Sequence, residues 1–388
     1  MIIIIYHRNK VRKRWGVIMK SSKLKILHVA TMIGNKASGV ANVVPEHLKY
    51  QSLYANIALL NCSSIEYKNA ESINKYKIFN IRAKVSDTIN SITESFGKPD
   101  LVVFHAIYYP IYIKIYKELI KRNIPYIIIP HGSLTKDAQR KSFFKKIVAN
   151  FLMFNSFFKN AKAIQYLTEG EKNNSIREYN NIVSGNGIQL DKPKKKYDNE
   201  EKKCFKLIYI GRYTIKIKGL DLLLEGVETV KREMLDKNIK LLLYGADDRG
   251  DFKKLIKLIK EKEIDNVVKL NGPVFNDEKY TELLSSDVFI QTSRTEGQSL
   301  GIMEAISMGL PCILTPGTNL AEDAQKNEFG WKTEENAESI GKTIINTFNN
   351  KDLLPQYSKN AIEYANNNFN WENISKQAIE KYMDILNL

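Results

Sequence analysis

The feature that most limits the fold of this chain is the alternation of short, branched apolar runs with longer segments of helical period. Continuous Val/Ile/Leu runs separated by helices are typical of parallel strands that are buried on both faces. In the first half of the chain the runs are KILHVA, ANIALLN, YKIFNI, LVVFHA, YIIIPH and AIQYL; in the second half they are KLIYIG, IKLLLYG, VVKLNG, VFIQTS and PCILT.

Two such series predict two doubly wound, Rossmann-like α/β domains that face each other across a cleft. The charged, proline-containing stretch QLDKPKKKYDNEEKKCFK separates them and is typical of a linker. The opening MIIIIYHRNKVRKRWGVIMKSS has too short an apolar run for a signal peptide, and we expect it to be an extension upstream of a functional start at Met19. The predicted boundaries are an extension at 1–22, a first domain at 23–192, a linker at 193–203, a second domain at 204–369 and a closing helix at 370–388 that returns to the first domain.

Composition limits the kinds of ligand, compartment and membrane attachment that this chain is suited to. The formal net charge of +16 favours contact with polyanions such as nucleic acid, anionic lipid or phosphorylated ligands, although a lysine-rich coding bias gives the same number. The three cysteines, Cys62, Cys204 and Cys312, show no CxxC spacing, which argues against a disulfide framework and a zinc site and favours a reducing compartment. No apolar run reaches the roughly 18 residues that a membrane-spanning helix needs.

The stretch SRTEGQSLGIMEAISMGLPCILT carries two carboxylates, Glu296 in the loop after a predicted strand and Glu304 in the helix that follows. A helix starting near Ser299 would point its free N–H groups and its positive dipole end at the strand ends, where phosphate binds well. A carboxylate suits vicinal hydroxyls because it accepts two hydrogen bonds at once. The alternative is a pair of solvated charges on an ordinary strand–loop–helix unit.

A second loop, in YIGRYTIKIKGLDLLLEGV, has the same architecture with basic residues. Arg212 and Lys218 stand on either side of it and are a natural clamp for a diphosphate, with Lys216 as a spare candidate. The alternative is an exposed basic loop in a lysine-rich protein.

Two motifs of the first half fall at strand ends as well. HVATMIGNKASGVANVV lacks GxGxxG, so it does not support a dinucleotide site, but Gly39 at its helix start permits close approach of a ligand. In YIIIPHGSL, His131 follows a strand and precedes Gly132, a common position for a catalytic or substrate-contacting histidine. His28 and His105 also end strands, and we expect these two to be buried and satisfied.

The segment RKSFFKKIVANFLMFNSFFKNAK has a basic, aromatic, amphipathic pattern. Such a helix can lie in a membrane interface, or it can pack on its own sheet with snorkelling lysines. Packing explains the face from Ile147 to Phe151 better than it explains the other phenylalanines, which are Phe143, Phe154 and Phe157.

Taken with these motifs, the chain from about Lys23 onward resembles a GT-B glycosyltransferase, and is most similar to family 4 of those enzymes. EGQSLGIMEA matches that family's paired glutamates and GRYTIKIKG its Arg…Lys-Gly loop, while SGVANVV, PHGSL and NFNWENISKQAIEKY resemble its N-terminal loop, its N-domain histidine and its closing helix. The resemblance implies retaining transfer from a nucleotide-diphospho-sugar, with no cofactor and no metal ion. The sequence also has no Asp-x-Asp metal motif.

The resemblance also implies roles for single residues. Arg212 and Lys218 would neutralise the leaving diphosphate. Glu296 and the backbone of Gly297 to Gly301 would hold the donor sugar, and Glu304 would hold the ribose. His131 would sit near the reacting centre and contact the donor sugar or the acceptor. The predicted catalytic residues are therefore His131 and Glu296. Since no carboxylate here is an evident nucleophile, a front-face displacement by charge stabilisation is implied. The predicted donor-binding set is Gly39, Arg212, Lys218, Glu296, Gly297, Gln298, Ser299, Leu300, Gly301 and Glu304.

The sequence departs from the family at two places. Ser38 stands where the family has the first of its N-terminal glycines, and Gln298 and Ser299 stand where it often has the Phe-Gly of a Gly-Phe-Gly. The identity of the donor sugar therefore cannot be carried over from the family. The expected setting is cytoplasmic synthesis of a surface polysaccharide on a glycan or lipid-linked acceptor, with peripheral contact to an anionic membrane. One rival is a nucleotide-sugar epimerase of the same fold. Another is a non-catalytic polyanion binder, against which the sequence shows no nucleic-acid module, so we expect no nucleic-acid partner.

Overall fold

The structure is a computed structural model of the chain. It describes residues 23–32, 39–64, 67, 76–140, 153–176, 179–197 and 204–388. The predicted extension and the second half of the predicted linker, 198–203, lie outside the described residues.

Within the described residues, the first half of the chain forms a seven-stranded sheet in which every pairing is parallel. Its strands are β1 (Lys25–Ala30), β2 (Asn56–Asn61), β3 (Lys77–Asn80), β4 (Leu101–His105), β5 (Tyr126–Ile129), β6 (Ala163–Tyr166) and β7 (Asn181–Val183). Their order across the sheet is β3-β2-β1-β4-β5-β6-β7. The helices among them are α1 (Gly39–Gln51), α2 (Val85–Phe96), α3 (Pro110–Lys121), α4 (Lys136–Arg140), α5 (Asn155–Lys159) and α6 (Glu169–Asn173).

The second half forms a six-stranded, all-parallel sheet in the order β10-β9-β8-β11-β12-β13. Its strands are β8 (Phe205–Ile210), β9 (Ile239–Tyr244), β10 (Val268–Asn271), β11 (Val288–Gln291), β12 (Cys312–Leu314) and β13 (Gly330–Lys332). Its helices are α7 (Ile215–Lys218), α8 (Leu220–Thr229), α9 (Lys231–Asp236), α10 (Asp251–Glu261), α11 (Asn276–Ser285), α12 (Leu300–Ser307), α13 (Ala321–Lys326), α14 (Ala337–Asn349), α15 (Leu354–Asn368) and α16 (Trp371–Leu386), with 3₁₀ turns at Pro316–Thr318 and Lys351–Leu353.

This architecture confirms the predicted fold class of two doubly wound α/β sheets. Each apolar run named above overlaps one of the observed strands. The two strands without a predicted run, β7 and β13, have three residues each, too few to show a period.

Each sheet is covered on both faces, as continuous apolar strands require. One face of the first sheet packs against α2, α3 and α5, and the other receives α1 together with Ala378, Ile379 and Tyr382 of α16. Helix α16 thus packs on the first sheet. The domain boundaries themselves stay predictions.

The aromatic segment is described only from Met153 onward, so Phe143, Phe144, Ile147, Val148, Phe151 and Leu152 lie outside the described residues. Phe154, Phe157 and Phe158 are at most 2% exposed and pack in the core of the first sheet, with Phe157 stacked on Tyr126. The expectation that packing explains the outer phenylalanines poorly is therefore wrong for Phe154 and Phe157. In the part of the chain that the structure covers, no helix has the length and apolar character to span a membrane.

Candidate functional site

A cleft of about 670 Å³ lies between the two sheets. In each sheet the strand order reverses between two neighbours, β1 and β4 in the first and β8 and β11 in the second, and ligands bind at the carboxyl ends of such strands. Residues that follow the carboxyl ends of the strands form much of the cleft wall. Every residue of the predicted site is among its walls: Gly39, His131, Arg212, Lys218, Glu296, Gly297, Gln298, Ser299, Leu300, Gly301 and Glu304.

Glu296 is held by one of its two oxygens. Its Oε1 accepts from Lys218 Nζ at 2.6 Å, from Ser293 Oγ at 2.7 Å and from Gln291 Nε2 at 3.0 Å. Because three donors converge on Oε1, the rotation of the carboxylate is restrained, and Oε2 is the oxygen left to accept from a ligand. Lys218 and Glu296 are only 15% and 13% exposed, so this pair is shielded from bulk water.

Gln291 connects Glu296 to the start of α12. It ends β11, is 1% exposed, and its Oε1 accepts from Ser299 Oγ at 2.9 Å while its Nε2 reaches Glu296. Ser299 is the N-cap residue of α12, so this one amide sets both the carboxylate and the helix terminus. The open N–H groups of that terminus face the cleft, where they favour an anion.

The basic loop after β8 brings Arg212 and Lys218 to the cleft but not Lys216. Lys216 is 84% exposed and pairs with Asp221 at 2.7 Å, so the spare candidate is a surface residue. The loop closes on Gly219 at φ 61°, where an added Cβ would lie 1.9 Å from the carbonyl oxygen of Thr292. Glycine is thus required for the two donor-side loops to touch.

Glu304 lies just over one turn into α12 and lines the same cleft. Its Oε1 pairs with Lys279 Nζ of α11 at 2.6 Å, and both side chains are about a fifth exposed, at 22% and 19%. The two glutamates thus stand at separate places along one cleft, each with its own lysine.

His131 sits in a tight turn after β5, with φ 49°, followed by Gly132 with φ 80°. The turn is pinned by Glu171 of α6, which is fully buried and accepts from Gly132 N at 2.5 Å and Leu167 N at 2.7 Å. Burial raises the pKa of Glu171 to about 6 despite these two bonds, and burial lowers the pKa of His131 to about 3. His131 is therefore a neutral imidazole at the pH of a cell. His28 and His105 are fully buried and hydrogen-bonded, as predicted.

The loop from Glu296 to Gln298 touches the first domain directly. Gln298 Oε1 accepts from Asn186 N at 2.6 Å, and Thr168 Oγ donates to the carbonyl of Gly297 at 3.2 Å. At Gly132 an added Cβ would lie 3.1 Å from Gly297 N, so the backbones meet closely there. The residue that breaks the family's Gly-Phe-Gly, Gln298, is therefore an interdomain contact.

Sequence reasoning missed the residues that support the site. Gln291, Lys279 and Glu171 sit in unremarkable apolar or charged patterns, and only the fold shows which groups they face. Asn186 had a signal, because it lies between two glycines in SGNGIQL directly after a strand.

The comparisons with known proteins agree with this geometry. Residues 189–365 match the model of the family described as Glycosyl transferases group 1. The match covers 177 of the 388 residues, and this part of the chain is similar to that family. The chain as a whole has the GT-B glycosyltransferase fold.

Three similar proteins illustrate the match. An uncharacterised glycosyltransferase of Methanocaldococcus jannaschii is 26% identical over 245 residues, which are 62% of this chain and 56% of that relative; the chain thus spans little more than half of its length. A putative colanic acid biosynthesis glycosyltransferase of Escherichia coli is 26% identical over 44% of this chain and 43% of its own. The structure of Anabaena HepE in complex with UDP-glucose has a TM-score of 0.69 at 16% identity, covering 93% of this chain and all of that one (100%). At this identity the last match shows the shared fold alone.

Proposed function

We propose that this chain is a retaining glycosyltransferase that moves a sugar from a nucleotide-diphospho-sugar to a glycan or lipid-linked acceptor. The observation that carries the proposal is the pair of glutamates, Glu296 and Glu304, at separate places in one cleft with Arg212 and Lys218 also in its wall. A cleft that carries both carboxylates and cations suits a ligand that has both hydroxyl groups and a diphosphate.

Each residue then has a role. Glu304 accepts from the ribose hydroxyls, and Glu296 accepts from the donor sugar through Oε2. Arg212, Lys218 and the N-terminus of α12 neutralise the charge that develops on the diphosphate as the bond to the anomeric carbon breaks. Because these groups supply positive charge, we propose transfer without a metal ion or cofactor.

The chemistry proposed is a front-face displacement. The bond between the anomeric carbon and the diphosphate oxygen breaks, the acceptor oxygen bonds to the same carbon from the same side, and the acceptor proton passes to the leaving phosphate. The protein contributes position and charge stabilisation, and forms no covalent bond itself.

The setting proposed is the synthesis of a surface polysaccharide at the cytoplasmic face of the membrane. The similarity to a putative colanic acid biosynthesis glycosyltransferase supports the polysaccharide, and the net charge of +16 supports contact with an anionic surface.

The test is donor binding followed by transfer. Calorimetry with UDP-, GDP-, ADP- and dTDP-sugars, with and without EDTA, should give binding to one nucleotide class that EDTA does not weaken. Lys218→Met should weaken that binding by about 10-fold or more, since a partly buried cation–phosphate contact is lost. The matched control, Lys216→Met, alters the same loop outside the cleft and should change binding less than 2-fold.

Two results would count against the proposal. Binding that needs a divalent ion would contradict metal-free transfer. Conversion of the donor sugar to its epimer by the purified protein, with no acceptor present, would replace the transferase by an epimerase.

A further inference from the structure

Four histidines of the first domain, His28, His47, His105 and His131, are joined in one buried hydrogen-bond network. His131 Nε2 meets His105 Nδ1 at 3.1 Å, and His105 Nε2 meets His28 Nδ1 at 2.8 Å. We call His28, His105 and His131 the histidine relay. A neutral imidazole has one donor and one acceptor nitrogen, so the proton positions of all three rings are coupled.

The inner end of the relay is an amide. His28 Nε2 meets Gln51 Oε1 at 3.1 Å, and Gln51 Nε2 lies 3.5 Å from His47 Nδ1. If Gln51 presents its oxygen to His28, then His28 must carry its proton on Nε2. The proton positions of all three rings in the relay therefore depend on the orientation of the Gln51 amide.

Tyr382 and Gln165 decide that orientation. Gln165 Nε2 donates to the carbonyl oxygen of Ser184 at 2.8 Å, and a backbone carbonyl can only accept. Gln165 Oε1 therefore faces Tyr382, whose hydroxyl donates to it at 2.6 Å. With its only proton used, the Tyr382 oxygen can only accept, and the Gln51 side chain lies beside that hydroxyl. The Gln51 amide nitrogen, which lies 3.5 Å from His47 Nδ1, is the end that can donate on this side, so the amide oxygen faces His28.

This orientation of Gln51 fixes the proton position of each ring in turn, from His28 to His131. His28 donates from Nε2 and accepts at Nδ1, so His105 donates from Nε2 and accepts at Nδ1, and His131 donates from Nε2. The one ring nitrogen that His131 has left, Nδ1, is then unprotonated. On the other branch, His47 accepts from Gln51 and donates from Nε2 to Asn186 Oδ1 at 3.0 Å, which satisfies that ring as well.

We propose that the histidine relay, polarised from the Ser184 carbonyl through Gln165, Tyr382 and Gln51, fixes the tautomer of His131 so that it meets the substrate as a hydrogen-bond acceptor through Nδ1. His131 accepts from a hydroxyl of the donor sugar or the acceptor and cannot donate to the leaving phosphate. His28, His105, Gln51 and Tyr382 are positioning residues for it. The ligand named here rests on the proposed function; the tautomer does not.

Burial supports the proposal, because it keeps the network neutral. His28, His47 and His105 are at most 1% exposed, while His131 borders the cleft. Burial lowers the pKa of His28 to about 3 and that of His47 to about 4. The pKa of His105 is lowered as well, by burial and by its histidine neighbours. A proton added to His28, His47 or His105 would turn an acceptor nitrogen into a donor and leave two donors facing each other.

The experiment is nuclear magnetic resonance on the full chain labelled with ¹⁵N-histidine, using long-range proton–nitrogen correlation from pH 6 to 8. The wild type should show His131 with a protonated Nε2 and an unprotonated Nδ1, unchanged over that range. A His131 that carries its proton on Nδ1, or on both nitrogens, overturns the proposal whether or not the protein transfers sugar. If this tautomer is found and no nucleotide-sugar binds, the relay stands and the proposed function fails.

Tyr382→Phe tests the origin of the polarity. It keeps the ring in place but frees the Gln51 amide to turn, so His131 should show a mixture of tautomers, and kcat/KM should fall by roughly 3- to 30-fold with KM for the donor changed less than kcat. The matched control is Tyr126→Phe, which also removes the hydroxyl of a buried tyrosine that packs in the core of the first sheet, one that donates to the Phe157 carbonyl at 2.7 Å. If Tyr382→Phe, like Tyr126→Phe, still gives a single set of sharp His131 tautomer signals, then Tyr382 does not set the tautomers of the relay.

Discussion

At the scale of single residues, the site depends on polar side chains that carry no signal in the sequence. Glu296 could be singled out from its motif, but what restrains it is Gln291, a residue at the end of an ordinary apolar strand. A buried amide is costly unless its oxygen and nitrogen are both satisfied, and here Ser299 and Glu296 satisfy them.

Gln291→Met should therefore affect both stability and catalysis. We expect the free energy of unfolding to fall by about 1–3 kcal/mol, because Ser299 loses its buried partner, and kcat/KM to fall by about 10-fold, because Glu296 loses one of three restraints. Urea denaturation and donor-dependent transfer rates measure the two effects. A loss of stability with an unchanged kcat/KM would make Gln291 a core residue only.

At the scale of elements, the donor side of the cleft is built where two loops cross at Gly219. The left-handed φ of 61° and the close carbonyl of Thr292 both exclude a side chain there. Gly250, at the start of α10, has a similar φ of 83° but no atom within 4 Å of an added Cβ. A substitution at Gly250 thus tests backbone strain alone, whereas one at Gly219 tests backbone strain together with a steric clash.

Gly219→Ala and Gly250→Ala should thus differ clearly. Gly250→Ala carries only the strain of positive φ, about 1 kcal/mol, and should leave donor binding unchanged. Gly219→Ala must also displace the Thr292 backbone, so we expect a loss of about 3 kcal/mol or more and a large loss of donor affinity. Thermal denaturation and calorimetry compare them, and equal costs would show that the loop contact yields freely.

At the scale of the whole molecule, acid stability depends on how helix α16 docks on the first sheet. The histidines lie where α1, α16 and the carboxyl ends of the first sheet meet, so their burial depends on the closing helix being docked. Their titration is therefore a property of the assembled chain.

We expect the chain to lose stability as the pH falls from 7.5 to 5.5. His28, His47 and His131 have pKa values lowered to about 3, 4 and 3, so below pH 6.5 the unfolded state binds protons that the folded state does not. Each contributes up to about 1.4 kcal/mol per pH unit in that window. Glu171, with a pKa raised to about 6, has the opposite sign, since the folded state binds its proton first. It is one group against four, because His105, whose pKa is also lowered, acts in the same direction as the other histidines. Urea denaturation should show a net loss of roughly 3 kcal/mol, and a flat profile would refute the buried, neutral network.

The sequence by itself determined the local structure and part of the set of residues that line the cleft. Apolar runs and helical periods are set by side-chain chemistry along the chain, so nearly every strand and all the predicted wall residues could be named in advance, and family motifs identified the class. The tertiary structure decided which of Lys216 and Lys218 reaches the cleft, that Phe154 and Phe157 are core, and that His131 ends a relay anchored at Ser184. Those outcomes depend on hydrogen bonds and packing between residues far apart in sequence, such as Gln165 and Tyr382, and no periodicity along the chain encodes which distant groups will meet.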